Sequence, residues 1–231
     1  MIAKYNQPAR VDVVPTARRY HDPCGIARAL DVIGDRWALM VVRELIFGSK
    51  RFVQLRNGLR GVSPNVLTQR LRDLESAGVV CRDVLDPPAS VTIYKLTHRG
   101  RALEPILLEL GRWGSQEPVT TSNEMSVNAT FLALKTVFDP DAAVDATIAL
   151  RVGGDWFRVT VADDSIDIIR ARTEQPTTIF QTDVRTLRAV AFGREAVTDA
   201  ERDGRLTVVG DRGVAERFAR MFPVPDGGPS D

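Results

Sequence analysis

Apolar positions recur at helical spacing through the first half of the chain and alternate at strand spacing through much of the second. Residues 1–21 show neither period and, with Pro8, Pro15 and the pair Arg18-Arg19, read as an arm. Asp22-Pro23 supplies a helix cap and a first-turn proline, after which Ala27, Leu30 and Ile33 share a face until Gly34. A second helix from about Asp35 carries Trp37, Met40, Val41, Leu45 and Ile46, and Gly48 closes it. Residues 52–59 form a short third helix. Ser63-Pro64 opens a fourth, in which Leu67, Leu71 and Leu74 are the buried stripe and Gly78 is the stop. Residues 79–85 and 91–97 are β-rich runs around the turn-forming Asp86-Pro87-Pro88-Ala89-Ser90, hence a hairpin. Thr97 caps a last helix, kinked at Pro105, with Leu103, Ile106, Leu107, Leu110 and Trp113 on one face; so long an apolar stripe requires a partner. Four helices, a hairpin and a helix is the order of a winged helix-turn-helix, whose fourth helix here would enter the major groove of DNA.

After a polar stretch at 116–126, which reads as a linker, the pattern changes. Phe131, Leu134, Lys135 and Phe138 predict a helix ending at Asp139-Pro140. Ile148, Leu150 and Val152, then a Gly153-Gly154 turn, then Phe157, Val159 and Val161, then Asp163-Asp164 and Ile166 and Ile168, predict an antiparallel meander of three or four strands ending near Ile179-Phe180. Asp183 caps a helix with Val184, Leu187, Val190 and Ala191; residues 206–209 are a further strand; Val214, Phe218 and Met221 mark a final helix. The expected class is α+β in two domains, with boundaries at 22–115 for the winged helix and 127–224 for the α+β domain, and a disordered tail at 225–231.

Composition narrows the function. At 231 residues, 44% hydrophobic and 26% charged, the chain suits two ordinary globular domains. No apolar run reaches the ~18 residues of a membrane span, and the N-terminus lacks a signal-peptide core, so a cytoplasmic protein is expected. Two cysteines and two histidines give no disulfide framework and no metal-ligand spacing, and no cofactor motif is present. The net charge of +1 divides unevenly: residues 1–115 hold 18 Lys+Arg against 11 Asp+Glu, a balance of +7, and residues 116–231 hold 13 against 19, a balance of −6. Phosphate attracts the first half and is repelled by the second.

Turning about 100° per residue from Leu67 puts Asn65, Gln69, Arg72 and Ser76 on the outward face of the fourth helix, with Thr68 on the flank. Alone, such a face is as well read as solvated; in a winged helix, amides that pair with adenine and guanidinium that pairs with guanine suit base edges. Ser63 and Pro64 at the helix start, with Lys50, Arg51, Arg56 and Arg60 around the turn, are candidates to hold the backbone. The turn 86–90 has no cation for a minor groove, so Lys95 and Arg99 at the wing base, or Arg10, Arg18 and Arg19 of the arm, are the alternatives.

The run Cys24 to Leu30, Gly34-Asp35-Arg36-Trp37, Arg43-Glu44-Leu45, Arg51-Phe52, Leu55, Ser63 to Arg72, Leu74-Glu75, Gly78 and Tyr94 to Thr97 resembles the HxlR family of bacterial winged-helix regulators over about residues 22–115. That resemblance implies a homodimer closed by the first and last helices of the domain, bound to a palindromic double-stranded operator, commonly as a repressor. It also implies, for some members, an oxidant-sensing cysteine at the position of Cys24. On the residues themselves, Cys24 is either a first-turn thiolate or a small apolar residue packing the dimer helix, and the second is expected because free cysteine is usually buried. Cys81 is expected in the core.

Thr182-Asp183 with Leu187, Gly193-Arg194, Gly204-Arg205-Leu206, Val209-Gly210-Asp211 and Phe218 to Pro223 resemble the sterol-carrier-protein-like fold. That resemblance implies a cavity for a small hydrophobic effector, with Phe131, Leu134, Phe138, Trp156, Phe157, Phe180 and Phe192 as lining candidates, although an ordinary core uses the same residues. A lipid carrier or enzyme that uses the helical domain only to dimerise is the competing class. No nucleophile-base pair, phosphate-cradling loop or metal set supports catalysis.

Overall fold

Cys24 sets the first turn of the N-terminal half. It is the N-cap of α1 (Gly25–Ile33), its Sγ accepting from the backbone of Ala27 at 3.3 Å, while Asp22 accepts from the backbone of Cys24 at 2.8 Å. The cap therefore lies two residues beyond the expected Asp22. The coordinates are a computed structural model describing residues 19–85, 90–121 and 123–223. The expected arm through residue 18, including Arg10 and Arg18, the wing-turn residues 86–89 and the expected tail at 225–231 lie outside the described residues.

α2 (Ala38–Leu45), α3 (Phe52–Gly58) and α4 (Pro64–Ser76) follow, then the strands β2 (Val80–Val84) and β3 (Thr92–Leu96). A two-residue strand, β1 (Lys50–Arg51), pairs with β3 to make an antiparallel sheet of order β1-β3-β2. The last helix is broken rather than kinked. Thr97 caps α5 (His98–Arg101), and α6 (Glu104–Gly114) starts afresh with Pro105 in its first turn, where a missing N–H is harmless.

The second half opens with α7 (Val127–Thr136), capped by Ser126. It continues through β4 (Ala146–Val152), β5 (Asp155–Ala162), β6 (Ser165–Ile169), β7 (Thr178–Thr182), α8 (Val184–Ala191), α9 (Val197–Arg202), β8 (Leu206–Gly210) and α10 (Arg212–Phe218). The class is α+β, but the sheet is mixed and has five strands in the order β6-β5-β4-β7-β8. The first three strands form the expected meander. The next does not continue it: after β6 the chain returns to the far side of β4 and β7 runs parallel to it, in register from Ile148–Thr178 to Val152–Thr182. Alternation of apolar residues reports which face a strand buries, not which neighbour it takes, so this crossover was not readable locally.

Phe131 of α7 packs on Phe157 of β5 at 4.4 Å between ring centroids, and Phe180 of β7 on Phe218 of α10 at 5.2 Å. Phe47, just past α2, meets Phe131 edge-on at 6.0 Å, so the apolar cores of the two halves are continuous. α6 lies against α7 closely. A Cβ at Gly111 would stand 3.2 Å from the Thr136 hydroxyl; Arg112 donates through Nε to the Thr136 carbonyl at 3.1 Å; and Lys135 pairs with Glu104.

Candidate nucleic-acid interface

Ser63 accepts from the backbone of Val66 at 3.3 Å, and Pro64 occupies the first helical position, so the start of α4 is held by local chemistry alone. Leu67, Leu71 and Leu74 are buried, each contributing about 1.5–3 kcal/mol to the seating of the helix. Asn65, Gln69, Arg72 and Ser76 are exposed together on the opposite side. Thr68, half-buried, donates its hydroxyl to the Pro64 carbonyl at 2.8 Å, and Gln69 donates to Asp73 at 2.8 Å. Among the described residues Arg72 and Asn65 have no side-chain partner, whereas Gln69 is engaged with Asp73.

Sequence reasoning missed a cleft on the flank of α4. Asp35, Arg36 and Trp37, from the turn before α2, and Asn65, Val66, Gln69 and Arg70 enclose about 350 Å³. Arg70 is tied to Asp35 at 3.3 Å and Asp73 at 3.0 Å, and the Arg36 guanidinium lies 5.7 Å from the centre of the Trp37 ring. No local sequence signal marks it, because its walls come from the turn before α2 and from α4, about 30 residues apart.

The backbone-holding candidates separate. Arg51, Arg56 and Arg60 are exposed and, among the described residues, form no ion pair. Lys95 is matched by Asp83 at 2.5 Å on the paired strand, and Arg99 donates to the Ala77 carbonyl at 2.6 Å, closing the end of α4. Lys50 is a correction: it is buried, not free to meet phosphate. Its ammonium donates to Glu44 Oε2 at 2.7 Å, and burial pushes it below the usual lysine range against the pull of that carboxylate.

Glu44 itself is 0% exposed and is the centre of a polar hub. Oε1 accepts from Arg43 at 2.9 Å and from the Ser126 hydroxyl at 2.6 Å, and a Cβ at Gly58 would stand 2.3 Å from Oε2. Only glycine leaves room there. The Glu44 carbonyl accepts from Asn128 Nδ2 at 2.8 Å; Asn128 Oδ1 accepts from Arg170 at 3.2 Å; Arg170 pairs with Asp155 at 2.6 Å and donates its backbone N–H to the Phe47 carbonyl at 3.2 Å. Every hydrogen-bonding oxygen of the buried carboxylate has a donor, as a buried charge requires.

The family model for the HxlR-like helix-turn-helix matches residues 32–121. An HTH-type transcriptional regulator of Bacillus subtilis (strain 168), YvaP, is 42% identical over 90 residues, which cover 38% of this chain and 82% of that protein. The chain belongs to the HxlR-like helix-turn-helix family. A Synechocystis sp. regulator, sll1512, is 39% identical over 92 residues, 40% of this chain and 68% of its own length. Among solved structures, the redox regulator HypR in its oxidized form is 37% identical, covering 41% of this chain and 97% of that one, with a TM-score of 0.39. The N-terminal half is thus a DNA-binding module of the transcription-regulator type.

The HxlR-like match ends at residue 121, five residues before Ser126, so Ser126, Asn128 and Arg170 join the hub from outside it. Further along, the expected lining set is not one set. Phe131, Leu134, Phe157 and Phe180 are buried in the core, and Phe138, half-buried, packs towards Phe222 at 6.3 Å between centroids. Phe192 is half-buried at the end of α8. Trp156 precedes Phe157 in a strand and so faces the other side of the sheet, where Arg151 and Arg172 lie over its ring. Cys24 is exposed in the single chain, and Cys81 is half-buried in β2. No helix among the described residues is long and apolar enough to cross a membrane.

Proposed function

We propose that the protein is a homodimeric, sequence-specific transcriptional regulator, acting as a repressor, that lays α4 in the major groove of a palindromic operator. The observation that carries this reading is the exposed row Asn65, Gln69 and Arg72 over a leucine-seated helix, beside Arg51, Arg56 and Arg60, which are exposed and form no ion pair among the described residues. Dimerisation is supported by apolar surface that the described residues leave uncovered: Ile26 and Leu30 on α1, and Ile106, Leu110 and Trp113 on the side of α6 away from α7. Ile26 is 74% exposed and Trp113 66%. Two copies joined there would present two α4 helices to two half-sites.

The second half, of sterol-carrier-like type, is the sensor in this reading, taking a small hydrophobic effector. Its route to DNA is the hub: a change at α7 or at the end of β6 acts directly on α2, against which α4 is seated. A thiol input is the other arm of the reading. It is supported by the exposed Cys24, which stands at the start of α1, next to the proposed dimer surface.

Titration of the purified chain with the duplex upstream of its own coding region, and with a scrambled duplex of equal composition, tests the reading. A preference of about 10³-fold or more at physiological salt, two protomers per duplex and a steep fall in affinity with salt are expected. Equal affinity for both duplexes would contradict it.

A further inference from the structure

Among the side chains of α4, Val66 is out of keeping with its surroundings. Pro64 apart, it is the one apolar residue of the helix left at the surface, 40% exposed where Leu67, Leu71 and Leu74 are sealed. Its direction is about 100° from that of Leu67, on the flank it shares with Gln69 and Asp73 and opposite Thr68. There it lines the cleft of about 350 Å³ together with Trp37, Asn65 and Gln69.

We infer that Val66 and Trp37 form an apolar notch that receives the C5-methyl group of a thymine, making Val66 a specificity-determining residue beside the amide readers Asn65 and Gln69. The inference rests on the proposed major-groove seating of α4 and adds a base identity to it. Three features favour a methyl over other occupants. Thymine is the base that carries a methyl on its major-groove edge, and apolar side chains are what read it. Val66 and Trp37 bring apolar surface to the cleft beside an Arg70 that is held between Asp35 and Asp73, while the exposed Arg36 lies over the Trp37 ring. Finally, two of the lining residues, Asn65 and Gln69, are amides suited to adenine, so an adenine read by either and a thymine methyl against Val66 would be neighbours in one A/T step.

A deoxyuridine scan isolates the methyl. Each thymine of the bound half-site is replaced in turn by deoxyuridine, which removes the methyl and leaves the hydrogen-bonding edge, and affinity is measured for the wild type, Val66→Ala and Val66→Thr. One position per half-site should weaken about four-fold in the wild type, the worth of one buried methyl. Val66→Ala should bind the thymine and deoxyuridine duplexes alike at that position, and Val66→Thr, which keeps one methyl, should fall between; melting curves confirm that both variants are folded. A scan that is flat in the wild type while the preference over scrambled duplex persists overturns the notch and leaves the regulator reading standing. Discrimination that survives in Val66→Ala also overturns it. Loss of all preference over scrambled duplex in the wild type removes both.

Discussion

Glu44→Ala is expected to cost about 3–5 kcal/mol of stability, enough to unfold much of the protein, although the residue is remote from the reading face. The cost does not come from losing a favourable ion pair, since buried pairs are often near neutral against an apolar substitute. It comes from what remains: Lys50, buried and pushed below the usual lysine range by that burial, loses the carboxylate it donates to, and the Ser126 hydroxyl loses its acceptor. Equilibrium unfolding in urea, followed by far-UV circular dichroism, measures the effect. The joint variant Glu44→Met with Lys50→Met, which removes both charges, should recover a large part of the loss. A Glu44→Ala protein within 1 kcal/mol of wild type would show that the hub does not bear on the fold.

Leu110→Glu is expected to do the reverse, leaving the single chain folded and removing its partner. Leu110 is 46% exposed on the outer side of α6 and outside the buried core, so the substitution should cost the single chain no more than about 1 kcal/mol in stability. In the proposed dimer the same position sits between Ile106 and Trp113 and meets apolar surface from the other copy, where two buried carboxylates would be unpaired. Sedimentation should report a monomer. Operator affinity should fall by about 100-fold or more, because the second half-site is no longer engaged as part of one molecule. A dimer of unchanged affinity would relocate the interface.

What the sequence made legible follows from the range of the forces involved. α4 was readable end to end because its signals are local: a Ser63-Pro64 cap, leucines one and two turns apart, and Gly78 after the last turn. Its outward face then followed from rotation alone. The Gly153-Gly154 and Asp163-Asp164 turns were readable for the same reason, both pairs adopting positive φ. Lys50 was misjudged because its burial is decided by Glu44 and by Ser126, 82 residues beyond that glutamate, and a lysine among arginines at a turn looks like any other surface cation. β1 was missed because two residues carry no alternation, and α9 because its six residues carry only Val197 and Ala200 inward. The parallel placement of β7 depended on which sheet edge was free, which is a property of the assembled meander. Trp156 and Phe157 were read as companions although adjacent strand residues face opposite ways, a rule the sequence already contained.

The account stands on α4 reading bases through its outward face, and one comparison tests that most directly. The ratio of affinities for the upstream duplex and its scrambled counterpart is measured for wild type, Gln69→Ala and Arg72→Ala at matched salt. Each variant should lose about 1–3 kcal/mol of discrimination, roughly 5- to 150-fold in the ratio, with its affinity for scrambled DNA changed far less. Ratios equal to that of the wild type in both variants would contradict the account.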